Sequence, residues 1–333
     1  MLRFEYFHEQ WIDAENLIEH KPDLALQLEA NFFDSLKFDI SSIKEYRINA
    51  VKRLLPMLGS KPALCFSGGI DSQATWQCFN EAGIDIDVYV LVFKDGLNAQ
   101  DTDHAIKFAE RNKIKLNFIE IDILNFLSRE NADYSKKYKS LSPHFNTHYK
   151  LCDILKSKNY TGFVCGGGTP LLTHKVSEWI SNYNQNFLNY INYSEVSGIL
   201  CQGNFLGYDP KLAWAVSILT PIFTYEKYGG FINHSERLLA ENQRYKEKII
   251  GYRNAGFDII PQTTKFTGFE LVKDKLETMY GDGWAFEKFY RFPLKKYVEH
   301  IDVKVSLNES IIEKIKDLNL KHTGSSIDAP TGI

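Results

Sequence analysis

Apolar residues in the first half of the chain fall into two alternating patterns. Short, nearly continuous apolar runs are typical of strands covered on both faces of a sheet, and they occur at residues 63–66, 86–93, 116–121 and 163–165. Stretches with helical spacing lie before and between them, at residues 41–55, 72–82, 101–109 and 146–156. Strands that alternate with helices are joined by right-handed crossovers. The pattern therefore predicts an α/β fold, with a Rossmann-like parallel sheet of about five strands.

The pattern changes past residue 180. Residues 182–210 are rich in Asn, Tyr and Gly and are predicted to be loops, and a long polar-faced helix is predicted over residues 235–252. We therefore divide the chain into an N-terminal segment, an α/β domain, a mainly helical region that completes the site, and a tail with the composition of a disordered end. Their bounds are residues 1–44, 45–180, 181–322 and 323–333.

Composition narrows the class of protein. The 333 residues are 44% hydrophobic and 24% charged, which is typical of a globular chain. A net charge of -3 gives no electrostatic case for a general nucleic-acid binder. An apolar run long enough to span a membrane is missing, and the opening residues carry acids and aromatics where a signal peptide is basic and then apolar. We expect a cytoplasmic protein without a membrane segment.

The strongest chemical signal is the sequence SGGIDS at residues 67–72, between a predicted buried strand and a helix. Gly68 and Gly69 lack a Cβ, so the backbone can turn sharply and present successive N–H groups to an anion. The helix that follows adds the positive end of its dipole, and Ser67 and Ser72 add hydroxyl donors. Such a loop suits a pyrophosphate group.

Asp71 has a different role in this interpretation, because a carboxylate repels phosphate. It is placed to hold a Mg²⁺ ion that bridges the phosphates. The loop lacks the Gly-Lys-Ser/Thr ending of a Walker loop, so that class of phosphate site is excluded. The alternative is a simple strand-to-helix turn with Asp71 as a cap. Six matching positions in a strand–loop–helix setting favour the phosphate site.

The stretch FSGGIDS resembles the signature of the PP-loop ATP pyrophosphatase superfamily, which includes asparagine, NAD and 7-cyano-7-deazaguanine synthetases and tRNA thiolation enzymes. The resemblance covers about residues 60–175 and is closer to the nitrogen-handling branch. It implies that ATP is split into AMP and pyrophosphate, and that a nucleophile, usually ammonia or an amine, attacks an adenylated intermediate. It also implies that adenine lies against Val92 and Phe93 and meets Gly166 and Gly167.

Two features depart from that family. The later glycines continue as GGGTPLL, where asparagine-synthetase relatives carry acidic residues, so a second metal ligand is missing or comes from elsewhere. The chain opens Met1-Leu2-Arg3, without the cysteine nucleophile that begins a glutaminase domain. Ammonia is therefore expected from solvent or from a partner protein, unless the substrate supplies its own amine.

Several charged groups are weaker candidates. A carboxylate among Asp95, Asp101 and Asp103, which flank Asn98, could hold Mg²⁺ or contact ribose, but capping of the next helix explains part of this cluster equally well. Lys175, after the glycine run and next to His174, could neutralise charge on the α-phosphate, and a solvated lysine is the alternative. The basic residues of the later helix, Arg244, Lys246, Lys248 and Arg253, are interpreted as a solvated face.

Other clusters have plainer explanations. His144, His148 and Cys152 would share one helical face, as a soft-metal array or, more simply, as ordinary packing. The aromatic and basic stretches 265–270 and 290–294 could line a substrate pocket or pack in the core. Five cysteines with no CxxC pair fit neither a disulfide framework nor a zinc knuckle.

The leading functional hypothesis is an adenylating C–N ligase that uses ATP and Mg²⁺ on a small molecule or a modified base; a homodimer is compatible with it. The first alternative is a thiolation enzyme, for which Cys165 is the one well-placed cysteine, while Cys65 and Cys78 are interpreted as packing. That alternative needs a resolving partner for Cys165, and none is evident in the sequence. A non-catalytic nucleotide-binding or assembly protein is the second alternative.

Overall fold

The computed structural model of the chain describes residues 5–7, 10–12, 40–138, 143–167, 172–175, 178–181, 186–203, 205–220, 223–224, 245–262, 268–269, 271–272, 275, 278 and 303–305. The strands are β1 (Glu5–Phe7), β2 (Gln10–Ile12), β3 (Pro62–Cys65), β4 (Asp87–Phe93), β5 (Leu116–Ile121), β6 (Gly162–Cys165), β7 (Leu172–Lys175), β8 (Glu178–Ser181), β9 (Leu200–Gln202), β10 (Phe223–Thr224) and β11 (Val303–Val305).

The helices alternate with the strands of the first half and continue beyond them. They are α1 (Ile43–Leu54), α2 (Ile70–Glu81), α3 (Ala99–Asn112), α4 (Ile123–Asn125), α5 (Asn131–Tyr138), α6 (Pro143–Ser157), α7 (Asn186–Ser197), α8 (Phe205–Tyr208), α9 (Pro210–Leu219) and α10, described over residues 245–254. A π-helical turn at Phe126–Glu130 joins α4 to α5.

The main sheet has five strands in the order β5-β4-β3-β6-β9, all of them parallel. The chain moves outward from β3 to β4 and β5, then crosses back to place β6 on the other side of β3. The strand order therefore reverses between β3 and β6, which is where open α/β sheets form a ligand crevice. This topology confirms the predicted fold class, and it brings the ends of β3 and β6 together.

Side chains of the central strands alternate between two apolar cores, as the pleat of a strand requires. Leu64 and Val164 belong to a cluster with α1, α2, α3, α9 and α10. Ala63, Phe163 and Cys165 belong to a second cluster on the opposite face, with α5, α6 and α7. Burial on both faces explains why these strands are short apolar runs in the sequence.

The region after residue 180 differs from the sequence prediction. Residues 182–210 were predicted to be loops, and this was wrong, because they contain α7, the sheet strand β9 and α8. The fifth strand of the sheet thus lies beyond the boundary that we placed at residue 180. A second, four-stranded sheet has the order β10-β7-β8-β11, and β1 pairs antiparallel with β2.

Two predictions fall outside the described residues: the tail at 323–333 and the first part of the helix predicted over 235–252. Across the described ranges, no helix is both long and apolar enough to cross a membrane.

Candidate functional site

The loop between β3 and α2 has a backbone that its glycines make possible. Gly68 has a φ of +77°, in the left-handed region, and a Cβ there would lie 2.7 Å from the Cα and N atoms of Ala105 in α3. Gly69 is the N-cap residue of α2 in an extended conformation. The loop therefore turns sharply while packed against a neighbouring helix, and the first turn of α2 opens toward the end of the sheet.

The two serines of the loop stabilise this turn. The Ser72 hydroxyl donates to the Gly69 carbonyl over 2.8 Å, and the Oγ atoms of Ser67 and Ser72 lie 3.4 Å apart. Ser72 is buried, whereas Ser67 is exposed at the mouth of the loop. Of the two hydroxyls, that of Ser67 is thus the one open to an incoming ligand.

The glycine after β6 forms the opposite wall. A Cβ on Gly166 would lie 2.4 Å from the backbone N of Ser72 and 2.5 Å from its Cα. Even an alanine at Gly166 would overlap the first turn of α2. The two glycine-containing segments predicted to bind the nucleotide are therefore in direct contact at the strand-order reversal.

These segments open into a cavity of about 390 Å³, a size typical of small-molecule sites. It lies at the carboxyl ends of β3, β4 and β6 and reaches from the loop to the aromatic side chains of α6 and α7. Of the residues predicted to bind the nucleotide, the lining includes Ser67, Gly69, Asp71, Phe93, Gly166 and Gly167. Val92, by contrast, is half-buried and outside the lining, while its neighbours Leu91 and Phe93 belong to it.

Asp71 lies in the first turn of α2 and contacts two side chains of α10. The Nζ atom of Lys248 is 2.6 Å from Oδ1 and 2.8 Å from Oδ2 of the carboxylate. The Tyr252 hydroxyl donates to Oδ1 as well. Both carboxylate oxygens thus have a cationic or hydroxyl donor.

The interpretation of the α10 basic residues as a solvated face was wrong for Lys248. Lys246 and Arg253 are indeed exposed, and Arg244 lies outside the described residues. Lys248, however, shares a helix face with Tyr245 and Tyr252: Tyr252 contacts Asp71 in the loop, and Tyr245 and Lys248 line the cavity. Positions 245, 248 and 252 have the i, i+3, i+7 spacing of one helical stripe, a signal that the sequence did contain.

A buried amide connects the loop to the segment after α10. Gln73 Nε2 donates to the carbonyls of Gly68 over 2.6 Å and Ile260 over 2.8 Å, and its Oε1 accepts from the Ile260 N–H. His104 Nε2 donates to the same Ile260 carbonyl over 2.8 Å. Burial lowers the pKa of His104, so its neutral form is favoured.

Asn98 and Asp101 occupy the turn after β4. The Asn98 side chain accepts from the Phe93 N–H over 2.7 Å and donates to the Leu91 carbonyl over 2.9 Å, which fixes the end of the strand. Asp101 lines the cavity and accepts from Gln262 over 2.8 Å. Asp95 and Asp103, the other two acidic candidates, are exposed.

Asp71 and Asp101 both line the cavity. Burial raises the pKa of the Tyr245 phenol, and the negative charges of Asp71 and Asp101 raise it further. Both carboxylates therefore act on the pKa of Tyr245. The sequence did not single out this pairing, because the two acids are far apart in the chain and only the fold brings them near each other.

Four of the five cysteines converge beneath the loop. Cys65 and Cys165 are paired in register on adjacent strands, and both line the cavity. The sulfurs of Cys152 and Cys201 lie 3.9 Å apart, deeper in the core. The interpretation of Cys65 as packing was incomplete, since Cys65 is half-buried at the cavity, and it supplies the neighbour that Cys165 lacked in the sequence.

The aromatic end of the cavity is built from α6 and α7. The rings of His144 and His148 have centroids 4.8 Å apart, and His144 also lies 4.9 Å from Phe269. His148 Nδ1 shares a 2.8 Å hydrogen bond with the Tyr190 hydroxyl, and burial lowers the pKa of His148. Within the described part of the chain, no group of three or more His, Cys, Asp or Glu residues is arranged to hold a metal ion.

Other residues singled out in the sequence have side chains outside the described part of the chain. Lys175 is the last residue of β7, but its side chain is outside the described set, as is that of His174. Most of the stretch 265–270 and all of 290–294 also lie outside it. The catalytic role of Lys175 therefore stays a prediction.

Comparison with known proteins gave structural likenesses alone. No family model and no curated protein matches the chain. Similar solved structures include a predicted subunit of tRNA methyltransferase from Methanocaldococcus jannaschii, with 16% identity and a TM-score of 0.35 over 72% of this chain and 95% of that one.

Two further similar structures are of kinds that the sequence resemblance named. The NH3-dependent NAD synthetase of Campylobacter jejuni has 14% identity and a TM-score of 0.32, over 86% of this chain and 96% of that one. The U34-tRNA thiolase NcsA of Methanococcus maripaludis has 14% identity and a TM-score of 0.30, over 80% and 88%. The fold class rests on the chain's own five-stranded sheet, and the resemblance to the PP-loop superfamily rests on the loop at residues 67–72.

Proposed function

We propose that the chain is an AMP-forming, ATP pyrophosphatase-type ligase, which activates a carbonyl or carboxylate of a small molecule or modified base. The observation that carries this proposal is the SGGIDS loop, which borders a cavity at the strand-order reversal. On one side Gly68 packs against Ala105 of α3, and on the other Gly166 packs against Ser72. A loop of this shape, at the N-terminus of a twelve-residue helix, suits the pyrophosphate of ATP.

The cavity walls suggest how ATP would be oriented. The phosphates would lie on the loop, near the Ser67 hydroxyl and the first turn of α2. The base would lie toward the apolar wall of Leu91 and Phe93 and the backbone of Gly166 and Gly167, all of which line the cavity. The aromatic and imidazole side chains of α6 and α7 would then be left for the second substrate.

The residues present fit a bound Mg²⁺ ion. Asp71 and Asp101 are carboxylates that line the same cavity, and Mg²⁺ sites at phosphates typically use one or two carboxylates. Asp71 and Asp101 would hold the ion, which would neutralise phosphate charge when bound. Asp101 would supply the second ligand that the GGGTPLL stretch does not.

Lys248 is our candidate for the cation that stabilises the departing pyrophosphate or the α-phosphate. Its ammonium lies against Asp71 at the cavity, so a small rotation would bring it to the phosphates. Lys175, the cation proposed from the sequence, would act with it or in its place. A nucleophile, ammonia or an amine, would then attack the adenylated carbon.

The test is product analysis with a matched pair of variants. The protein would be incubated with ATP, Mg²⁺ and a metabolite panel, and the nucleotides separated by chromatography. We expect AMP and pyrophosphate; ADP and phosphate as sole products would refute the proposal. Asp71→Asn should lower turnover by at least about a hundredfold. Asp103→Asn, an exposed acid in α3, should not change it.

Sulfur transfer is the second candidate function, because Cys65 and Cys165 lie side by side at the cavity. The same assay separates the two candidates. A ligase forms product with ammonia or an amine, whereas a thiolation enzyme forms product only when a sulfide or persulfide donor is supplied. Product formation with ammonia and without a sulfur donor would reject the second candidate.

A further inference from the structure

Cys65 and Cys165 end two adjacent parallel strands, directly before Phe66 and Gly166. They are register partners, and both belong to the core on the α6 and α7 face of the sheet. Adjacent strands lie about 4.8 Å apart. That spacing is within the range of Cα separations that a disulfide can bridge.

Of the two other cysteines in that core, Cys152 and Cys201, the one on a neighbouring strand is a poorer disulfide partner for Cys165. Cys201 pairs in register with Phe163, two residues before Cys165, so it is a diagonal neighbour. Diagonal positions on adjacent strands have Cα atoms roughly 8 Å apart, beyond the reach of a disulfide. Cys201 and Cys152 are also outside the cavity lining, whereas Cys65 and Cys165 are part of it.

The surroundings of Cys165 favour a thiolate. Hydrogen bonds from the Cys201 and Cys65 thiols lower the pKa of Cys165 well below its usual value, against the opposing effect of burial, and the Tyr190 hydroxyl lowers it as well. A hydrogen bond with the Cys152 thiol, a second with Cys165, and burial all raise the pKa of Cys65, which stays a thiol. The pair thus combines one nucleophilic sulfur with one protonated neighbour, as reactive dithiols do.

We propose that Cys165 and Cys65 are a peroxide-reactive dithiol at the floor of the cavity, with Cys165 as the attacking sulfur and Cys65 as the resolving one. The Cys165 thiolate attacks one oxygen of hydrogen peroxide, the O–O bond breaks, and Cys165 sulfenic acid and hydroxide form. The Cys65 sulfur then attacks the Cys165 sulfur, and water leaves with the proton of the thiol. The two thiols lose two electrons and the peroxide gains them.

A small oxidant is favoured because access is narrow. Cys165 is only 4% exposed, and it is reached through the cavity rather than from the outer surface. Bound ATP would cover this floor, so the dithiol should react fastest in the nucleotide-free protein. The disulfide site does not depend on the proposed ATP chemistry, since it needs no nucleotide to form.

The experiment treats the reduced full chain with hydrogen peroxide, without nucleotide, and maps linked peptides by mass spectrometry. We expect a Cys65–Cys165 linkage that a dithiol reductant reverses. Cys65→Ser should leave a sulfenic acid at Cys165, trapped by dimedone, and Cys165→Ser should give no linkage to Cys65. Cys78→Ser, a buried thiol in the opposite core, is the matched control and should oxidise as the natural chain does.

The wild-type result alone can overturn the proposal, so it does not depend on whether a variant folds. A Cys152–Cys201 linkage in place of Cys65–Cys165 would overturn it. So would unchanged Cys65 and Cys165 thiols under conditions that fully oxidise a free cysteine peptide. A protein that failed to produce AMP yet formed the linkage would reject the proposed function and leave this inference intact.

Discussion

The Asp71 carboxylate is shared between the ammonium of Lys248 and the phenol of Tyr252. If a metal–phosphate group binds Asp71 as proposed, the ammonium must turn aside, because Lys248 contacts both carboxylate oxygens. The freed ammonium would then lie beside the phosphates, where its positive charge opposes theirs. On this proposal, the ion pair with Asp71 holds the Lys248 ammonium next to the phosphate site.

Replacement of Lys248 tests this role. Lys248→Met keeps the length of the side chain and removes the charge, so we expect ATP turnover to fall by about a hundredfold, the scale for one lost electrostatic stabiliser. Lys246→Met, an exposed neighbour on the same helix, is the control. Steady-state kinetics at saturating ATP would measure both variants. A Lys248→Met enzyme with the natural kcat would reduce Lys248 to a structural partner of Asp71.

At the residue scale, the sequence singled out Asp71, which lines the cavity, and missed Lys248, which contacts it; the role of Asp71 stays a prediction. Asp71 was predictable because it lies within a local motif whose geometry is fixed by six consecutive residues. Lys248 was not, because its partner lies 177 positions away and docking of α10 decides which of its faces is buried. Charged residues on a helix are usually solvated, and that general rule fails at Lys248.

At the scale of elements, the close contact of the loop with α3 makes a stability prediction. Gly68→Ala would add strain at a positive φ and force its Cβ into the backbone of Ala105, so we expect the free energy of unfolding to fall by about 2–4 kcal/mol. Gly83→Ala is the matched control, with a φ of +70° and no atom within 4 Å of the added Cβ. Urea denaturation would compare them. Equal losses in the two variants would mean that the Ala105 contact costs nothing.

Helices and strands were predicted well where their buried residues are apolar, and poorly where buried residues carry a polar group. The strand at residues 116–121 was predicted with its observed ends, because a charged residue on either side marks those ends in the sequence. Helix α7 was mistaken for a loop because Tyr and Asn were counted as polar. Tyr190 and Tyr193 are in fact buried, with hydroxyls bonded to His148 and Asp153. A tyrosine ring packs as an apolar group once its hydroxyl has a partner.

At the scale of the whole molecule, hydrogen bonds from Gln73 and His104 to Ile260 join the segment after α10 to the sheet domain. A positive charge on His104 would be partly buried there. His104 is half-buried and donates to the Ile260 carbonyl, and burial lowers its pKa. Because the folded-state pKa lies below the unfolded value of about 6.5, protonation favours the unfolded chain. Stability from this group is full above that value and is lost as the pH falls through the folded-state pKa.

We therefore expect the free energy of unfolding to decrease as the pH is lowered from 7 to 5. His104→Gln, which can still donate to Ile260, should flatten that dependence. His148, whose pKa is also lowered by burial, should leave part of the slope in place. Chemical denaturation over this pH range would measure it. An identical slope in His104→Gln would show that His104 does not contribute.

Asp71 and Tyr252 are 181 positions apart, and this separation has a consequence for the nascent chain during synthesis. Synthesis proceeds from the N-terminus at about 5–20 residues per second, so the loop emerges roughly 10–40 s before the helix that supplies its phenol and ammonium. During that interval the nascent chain carries the loop at residues 67–72 without the two side chains that contact Asp71. Nucleotide affinity should then rise in a late step rather than gradually, and stalled nascent chains of increasing length would locate that step.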